Sequence, residues 1–85
     1  MTLEDTRDMM TSPDYRVRFL AEYVQLKIRT ENLEHMLKMY TQETLPFEPS
    51  CPYNLLKEQQ SKMRSYLDIL EERAKIEDVK LDSFL

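Results

Sequence analysis

Glycine is absent from this chain of 85 residues. Its absence excludes a Gly-rich phosphate-cradling loop and a dinucleotide fingerprint of the Rossmann type. Tight hairpin turns with φ > 0 also lose their usual residue, so a strand-rich fold has few turn residues to draw on. The chain reads as all-α. Cysteine occurs once, at Cys51. That excludes an internal disulfide and fits a reducing, cytosolic setting. Histidine also occurs once, at His35. A nucleophile and its base must lie within hydrogen-bond reach, and Cys51 sits in a proline-rich segment far from His35. Neither CxxC nor HExxH spacing occurs. The expectation is a non-enzyme with no metal and no cofactor, and His35 reads as a solvated or interfacial helix residue.

Long apolar runs are missing too. Nothing approaches the ~18 consecutive apolar residues of a membrane span, and the opening "MTLEDTRDMMTSPDYR" has no apolar stretch of the signal-peptide kind. Location in the cytoplasm is expected, that of a bacterial host if the gene is carried by a phage. Positive charge is in short supply: the formal net charge is −4. Bulk DNA or RNA binding, which favours a basic surface, is not expected. A small anion held by a local arginine cluster remains compatible.

What is present is helical patterning. At this length one domain, 1–85, is expected, with a thin core that needs added burial. Residues 1–11 are polar and read as frayed or weakly helical. A first helix is expected over about 13–40, with Ser12 as its cap, Pro13 in the first position and Asp14 at the positive end of the dipole. Phe19, Tyr23, Leu26, Leu33, Leu37 and Tyr40 recur in steps of four and three, with Thr30 in the one polar slot. Val17, Leu20, Val24 and Ile28 widen that seam. Residues 41–53 form a connector, because Pro46, Pro49 and Pro52 interrupt any helix. A second helix is expected over about 54–77. One of its stripes is Leu56, Met63, Leu67, Leu70 and Ala74; another is Leu55, Gln59, Met63, Tyr66, Leu70 and Arg73. The closing residues 78–85, "DVKLDSFL", fit either disorder or packing on a neighbour.

The expected architecture is a long antiparallel helical hairpin. Apolar flanks at Val17, Leu20, Val24, Ile28, Leu55, Tyr66 and Ile69 exceed what one helix pair needs, so hairpins are expected to assemble into a homo-oligomeric helical bundle. Met9, Met10, Met36, Met39 and Met63 read as core filling rather than as a soft binding groove. Glu31, Glu34, Glu71 and Glu72 read as solvated faces with partners one turn away.

Arg16 and Arg18 lie at the start of the first helix beside Tyr15 and Tyr23, with Arg7 upstream. A helix N-terminus and arginine forks suit phosphate, and tyrosines can stack on a base. Taken alone, these arginines are better explained as partners of Glu22, Asp14 or another chain. Gln59 and Arg73 pose a sharper question, because they fall on a stripe with Met63, Tyr66 and Leu70. Burial would cost free energy unless each found a partner. They would either bond across an interface and set its register, or face a cavity shared between chains.

"YRVRFLAEYVQLKIRTENLEHML" followed by "LLKEQQSKMRSYLDILEERAKIE" resembles a family of small phage proteins. These are crAss-like-phage related proteins that share the hairpin domain of anti-CBASS and anti-Thoeris sponges. The resemblance spans about residues 15–77 and rests on Arg18, Glu22, Tyr23 and Leu26, then on Leu55, Leu56, Gln59, Met63, Tyr66, Leu70 and Arg73. It implies a non-enzymatic oligomer that holds a cyclic nucleotide second messenger intact between chains and so silences an immune signal. The ligand-binding residues expected on that basis are Arg18, Tyr23, Gln59, Tyr66 and Arg73. The chain shows no β-rich segment like that of the anti-Thoeris type, and its connector "LPFEPSCP" matches a subset of relatives. Two other readings stand beside this one. One is a helical inhibitor or adaptor that binds a protein through an apolar flank, as another anti-defence or anti-CRISPR-like module would. Leu20 or Val24 would then face the partner. The other is a structural oligomer with no ligand.

Overall fold

The computed structural model describes residues 1–81. Of the segment 78–85, whose order the sequence left open, residues 82–85 lie outside the described residues. Two short 3-10 turns, Glu4–Thr6 and Met9–Thr11, lead into helix α1, Tyr15–Thr41, of 27 residues. Residues 42–52 then connect to helix α2, Tyr53–Glu77, of 25 residues. Contacts pair the start of α1 with the end of α2, and the end of α1 with the start of α2. Tyr15 meets Glu77, Tyr23 meets Glu71, Glu34 meets Gln60, and the rings of Tyr40 and Tyr53 lie 5.2 Å apart. The two long helices therefore pack antiparallel. No helix among the described residues is long and apolar enough to cross a membrane.

The cap of α1 is Asp14 rather than Ser12. Its extended backbone and its carboxylate, which accepts from the Arg16 N–H at 2.9 Å, satisfy one of the donors that open a helix. Ser12 acts one step earlier, accepting from the Asp14 N–H at 3.1 Å. Both long helices end in the motif usually built on glycine. Thr44 N–H reaches back to the Met39 carbonyl and Glu43 N–H to that of Tyr40, with Glu43 left-handed at φ 56°. At the end of α2, Val79 N–H reaches the Ala74 carbonyl across Asp78, also at φ 56°. A chain without glycine meets the same geometric demand with residues that bear a Cβ, at an energetic cost.

The core joins Phe19, Leu20, Tyr23 and Val24 of α1 to Leu67, Leu70 and Ala74 of α2. Fully burying a Leu or Phe side chain stabilises by about 1.5–3 kcal/mol, so this cluster dominates the energetics. Leu20 and Val24 are only 2% and 1% exposed. They do not form a free flank for a partner, because Met9, Val79 and Leu81 pack against the cluster that contains them. Of the two readings of residues 1–11, frayed or weakly helical, the structure has the second, as two 3-10 turns. Thr2 and Asp5 cap one another, with Thr2 N–H to Asp5 Oδ2 at 2.8 Å and Asp5 N–H to Thr2 Oγ1 at 3.3 Å. These bonds hold the Asp5 carboxyl below its ordinary range, the Thr2 N–H contributing most. The Thr6 hydroxyl is buried; it donates to the Leu3 carbonyl at 2.6 Å and accepts from Gln25 Nε2 at 2.9 Å. The N-terminal turns thus act as a lid on α1.

Toward the connector the core becomes polar. Gln60, 9% exposed, donates to Glu34 Oε2 at 3.0 Å, and Arg64 pairs with the other oxygen of Glu34. The buried glutamine of α2 is Gln60; its neighbour Gln59 is exposed. Thr30, fully buried in the polar slot of the α1 seam, donates to the Leu26 carbonyl one turn back at 2.7 Å.

Candidate ligand-binding face

On one flank of the helix pair, α1 presents Tyr15, Arg18, Phe19 and Glu22, at spacings that share a helix face. Alongside them α2 presents Tyr66, Arg73 and Glu77. The Arg73 guanidinium lies 4.9 Å from the centroid of the Phe19 ring, within cation–π range. Its Nε donates to Glu77 Oε2 at 3.0 Å and its Nη2 to the Tyr15 hydroxyl at 2.6 Å. The Tyr15 hydroxyl in turn donates to Glu77 Oε1 at 2.7 Å. Tyr66 donates its hydroxyl proton to Glu22. Arg18 donates from Nη1 to the Ser12 carbonyl at 2.7 Å, and its guanidinium sits 6.0 Å from the Tyr15 ring centroid.

The charges tune one another. Hydrogen bonds from Tyr15 and then Arg73 hold the Glu77 carboxyl below its ordinary range. The Tyr15 phenol is raised, chiefly by its bond to Glu77, and the Tyr66 phenol is raised chiefly by its bond to Glu22. Arg73 is raised by the bond to Glu77. At neutral pH Arg73 is therefore cationic, Glu77 anionic, and the Tyr15 and Tyr66 phenols neutral. Arg73 uses only its Nε and Nη2 groups in these bonds, out of about five N–H donors on a guanidinium.

Of the residues expected at the site, Arg18 and Arg73 are linked through Tyr15, and Tyr66 stands on the same flank with its hydroxyl on Glu22. Tyr23 does not join them. Its ring is in the core, and its hydroxyl donates to Glu71 Oε1 at 3.0 Å on the opposite flank of α2. Gln59 is exposed on α2, seven residues before Tyr66, just as Arg73 lies seven residues after it. Arg73 is exposed as well, so neither polar residue is buried in the hairpin core. The start of α1 is already occupied by the Asp14 carboxylate, so that helix end does not stand open to a phosphate. Phe19 and Glu77 were missed by the sequence reading. The spacing of Tyr15 and Phe19 was a usable signal for the first; Glu77 shows only as the acid one turn beyond Arg73.

Clefts of about 450 and 520 Å³ open at the same end of the hairpin. Both are bordered by Asp78, Val79 and Lys80; one adds Arg16 and Leu20, the other Tyr23 and Lys75. Neither is lined by Arg18, Tyr66 or Arg73, whose cluster stands on open surface in the single chain. Among the described residues no group of His, Cys, Asp and Glu side chains gathers as a metal site would require. No curated protein and no solved structure matches the chain. The family model named Sequestin matches residues 13–76, which takes in α1, the connector and all but the last residue of α2. The chain belongs to the Sequestin family.

Proposed function

We propose that this protein is a phage anti-defence sponge: it binds a cyclic nucleotide immune signal, holds it without cleaving it, and works as an assembly of hairpins in the host cytoplasm. The family name speaks of sequestration, which is binding rather than turnover. The observation that carries the reading is the exposed face on which Arg18, Arg73, Tyr15 and Tyr66 stand together. Guanidinium forks suit phosphodiester oxygens. Neutral, half-exposed phenol rings suit nucleobase faces. A cyclic nucleotide offers both groups at short separation. Arg73 supplies the phosphate contact, Arg18 a second cation, Tyr66 and Tyr15 the stacking surfaces, and Gln59 a hydrogen-bonding edge. Tyr23 supports the site through the core.

The test is a titration of the intact protein against a panel of cyclic dinucleotides, cyclic trinucleotides and cyclic ADP-ribose isomers, read by calorimetry. The wild-type chain is expected to bind one class tightly. Arg73→Ala is expected to lose that binding while its helical circular-dichroism signal stays intact. A wild-type protein that binds nothing in the panel, or an Arg73→Ala chain that binds as well as wild type, would remove the reading.

A further inference from the structure

The Arg73 cluster has the chemistry of an anion site but lies on open surface. The rest of that α2 face is also uncovered. Leu55, Tyr66, Ile69 and Ile76 are 55%, 44%, 57% and 78% exposed, and with Gln59, Lys62 and Arg73 they recur in steps of four and three along the helix. That spacing is the seam of a helix–helix contact. The core contact of α1 falls on the neighbouring face, at Gln60, Leu67, Leu70 and Ala74, and α1 touches the seam only at its edge, through Tyr66 and Arg73.

The seam has an internal symmetry. Gln59 and Arg73 stand seven residues either side of Tyr66, and Leu55 and Ile76 lie near its two ends. We infer that a second copy of this chain covers this face, α2 against α2 in antiparallel fashion about a two-fold axis at Tyr66, so that Gln59 of each copy completes the Arg73 site of the other. The dyad sets Leu55 of each copy beside Ile76 of the other, so the apolar ends cover one another. The charges agree with this register. Glu58 comes one position from Arg73 of the second copy, and Lys62 comes opposite residue 70, two positions from Glu72. Among the described residues none of Glu58, Lys62 and Glu72 has an ion pair within its own chain. A parallel pairing would instead set Arg73 against Arg73 and Lys62 against Lys62.

The same axis accounts for the missing walls. Rotation about it leaves both α1 helices on one side of the paired α2 helices. Tyr15 and Arg18 of the two chains then border a trough whose floor is Tyr66, Arg73 and Gln59 of the second copy. The ligand assignment rests on the proposed function; the pairing does not.

Cross-linking tests the register in the full chain with Cys51→Ser as background. Tyr66→Cys, at the axis, is expected to convert fully to a disulfide-linked dimer under mild oxidation. Gln59→Cys and Arg73→Cys are each expected to stay single when oxidised alone, because two copies of either lie ~21 Å apart at ~1.5 Å per residue, beyond the ~7 Å Cα limit of a disulfide. Mixed together, those two variants are expected to link to one another. A Lys75→Cys control, off the seam, is expected to stay single. Self-linkage of Gln59→Cys or Arg73→Cys, or a Tyr66→Cys chain that stays single, would overturn the inference. Linkage in the expected pattern without cyclic-nucleotide binding would leave the pairing and remove the sponge reading; ligand binding by a chain that does not link would do the reverse.

Discussion

Truncating Leu20 to alanine separates a core residue from a partner-facing one. Leu20 is 2% exposed, packed with Phe19, Tyr23, Val24 and the α2 residues Leu67 and Leu70, and covered by Met9, Val79 and Leu81. Removing a fully buried leucine side chain costs about 2–5 kcal/mol, the larger values arising where the cavity cannot collapse. Here the cover on one side consists of short turns and the segment just after α2, and Leu20 borders an open cleft. Partial collapse is therefore easy, and the lower half of that range, about 2–3 kcal/mol, is expected. For a chain of this size each kcal/mol shifts Tm by roughly 4–8 °C, so the melt should fall by about 10–20 °C. Phe47→Ala, at a side chain 55% exposed in the connector, is the control, with an expected effect within about 0.5 kcal/mol. Urea denaturation followed by far-UV circular dichroism measures both. A Leu20→Ala cost below about 1 kcal/mol, or one equal to that of Phe47→Ala, would refute the lid over α1 and return Leu20 to the surface.

Gln60→Ala should cost about 1–2 kcal/mol, because Glu34 loses a hydrogen bond at a largely buried position; Gln59→Ala in the same urea assay should leave stability nearly unchanged. Glu43→Gly should raise stability by about 0.5–1 kcal/mol, since the left-handed C-terminal position of α1 then carries no Cβ; a destabilised variant would contradict the helix-end geometry. Glu77 has a lowered carboxyl pKa, so its contribution is present above the unfolded value and is lost as pH falls through the folded one. Tyr15 and Tyr66 are raised, so theirs is present below the unfolded value, about 10, and is lost as pH climbs through the folded values. Melts of Tyr15→Phe plus Tyr66→Phe should therefore show a shallower alkaline fall in Tm, and an unchanged alkaline limb would count against those bonds.

The helix pair was legible because Phe19, Tyr23 and Leu37 on α1, with Leu67, Leu70 and Ala74 on α2, repeat at the period of a helix face. The N-terminal lid was not. Residues 1–11 carry no period, and their order depends on Gln25 reaching a threonine 19 residues away. Gln59 and Gln60 show the limit of stripe reading: adjacent residues differ by about 100° on a helix, and that rotation decides which glutamine is buried. Met63 and Leu70 belonged to both stripes in the sequence, so the stripes alone could not choose between them. The arginines beside Tyr15 were visible as a cluster, but their pairing was not. Glu77 and Phe19 hold Arg73 from positions that only the hairpin brings close.

The central claim is that the chain binds a cyclic nucleotide and releases it unchanged. Native mass spectrometry of the wild-type protein, alone and with the nucleotide panel, tests it directly. The account predicts an even number of chains, a discrete ligand mass added at fixed stoichiometry, and the same nucleotide recovered intact after denaturation. A spectrum with no added mass across the panel, or recovery of a cleaved nucleotide, would contradict it.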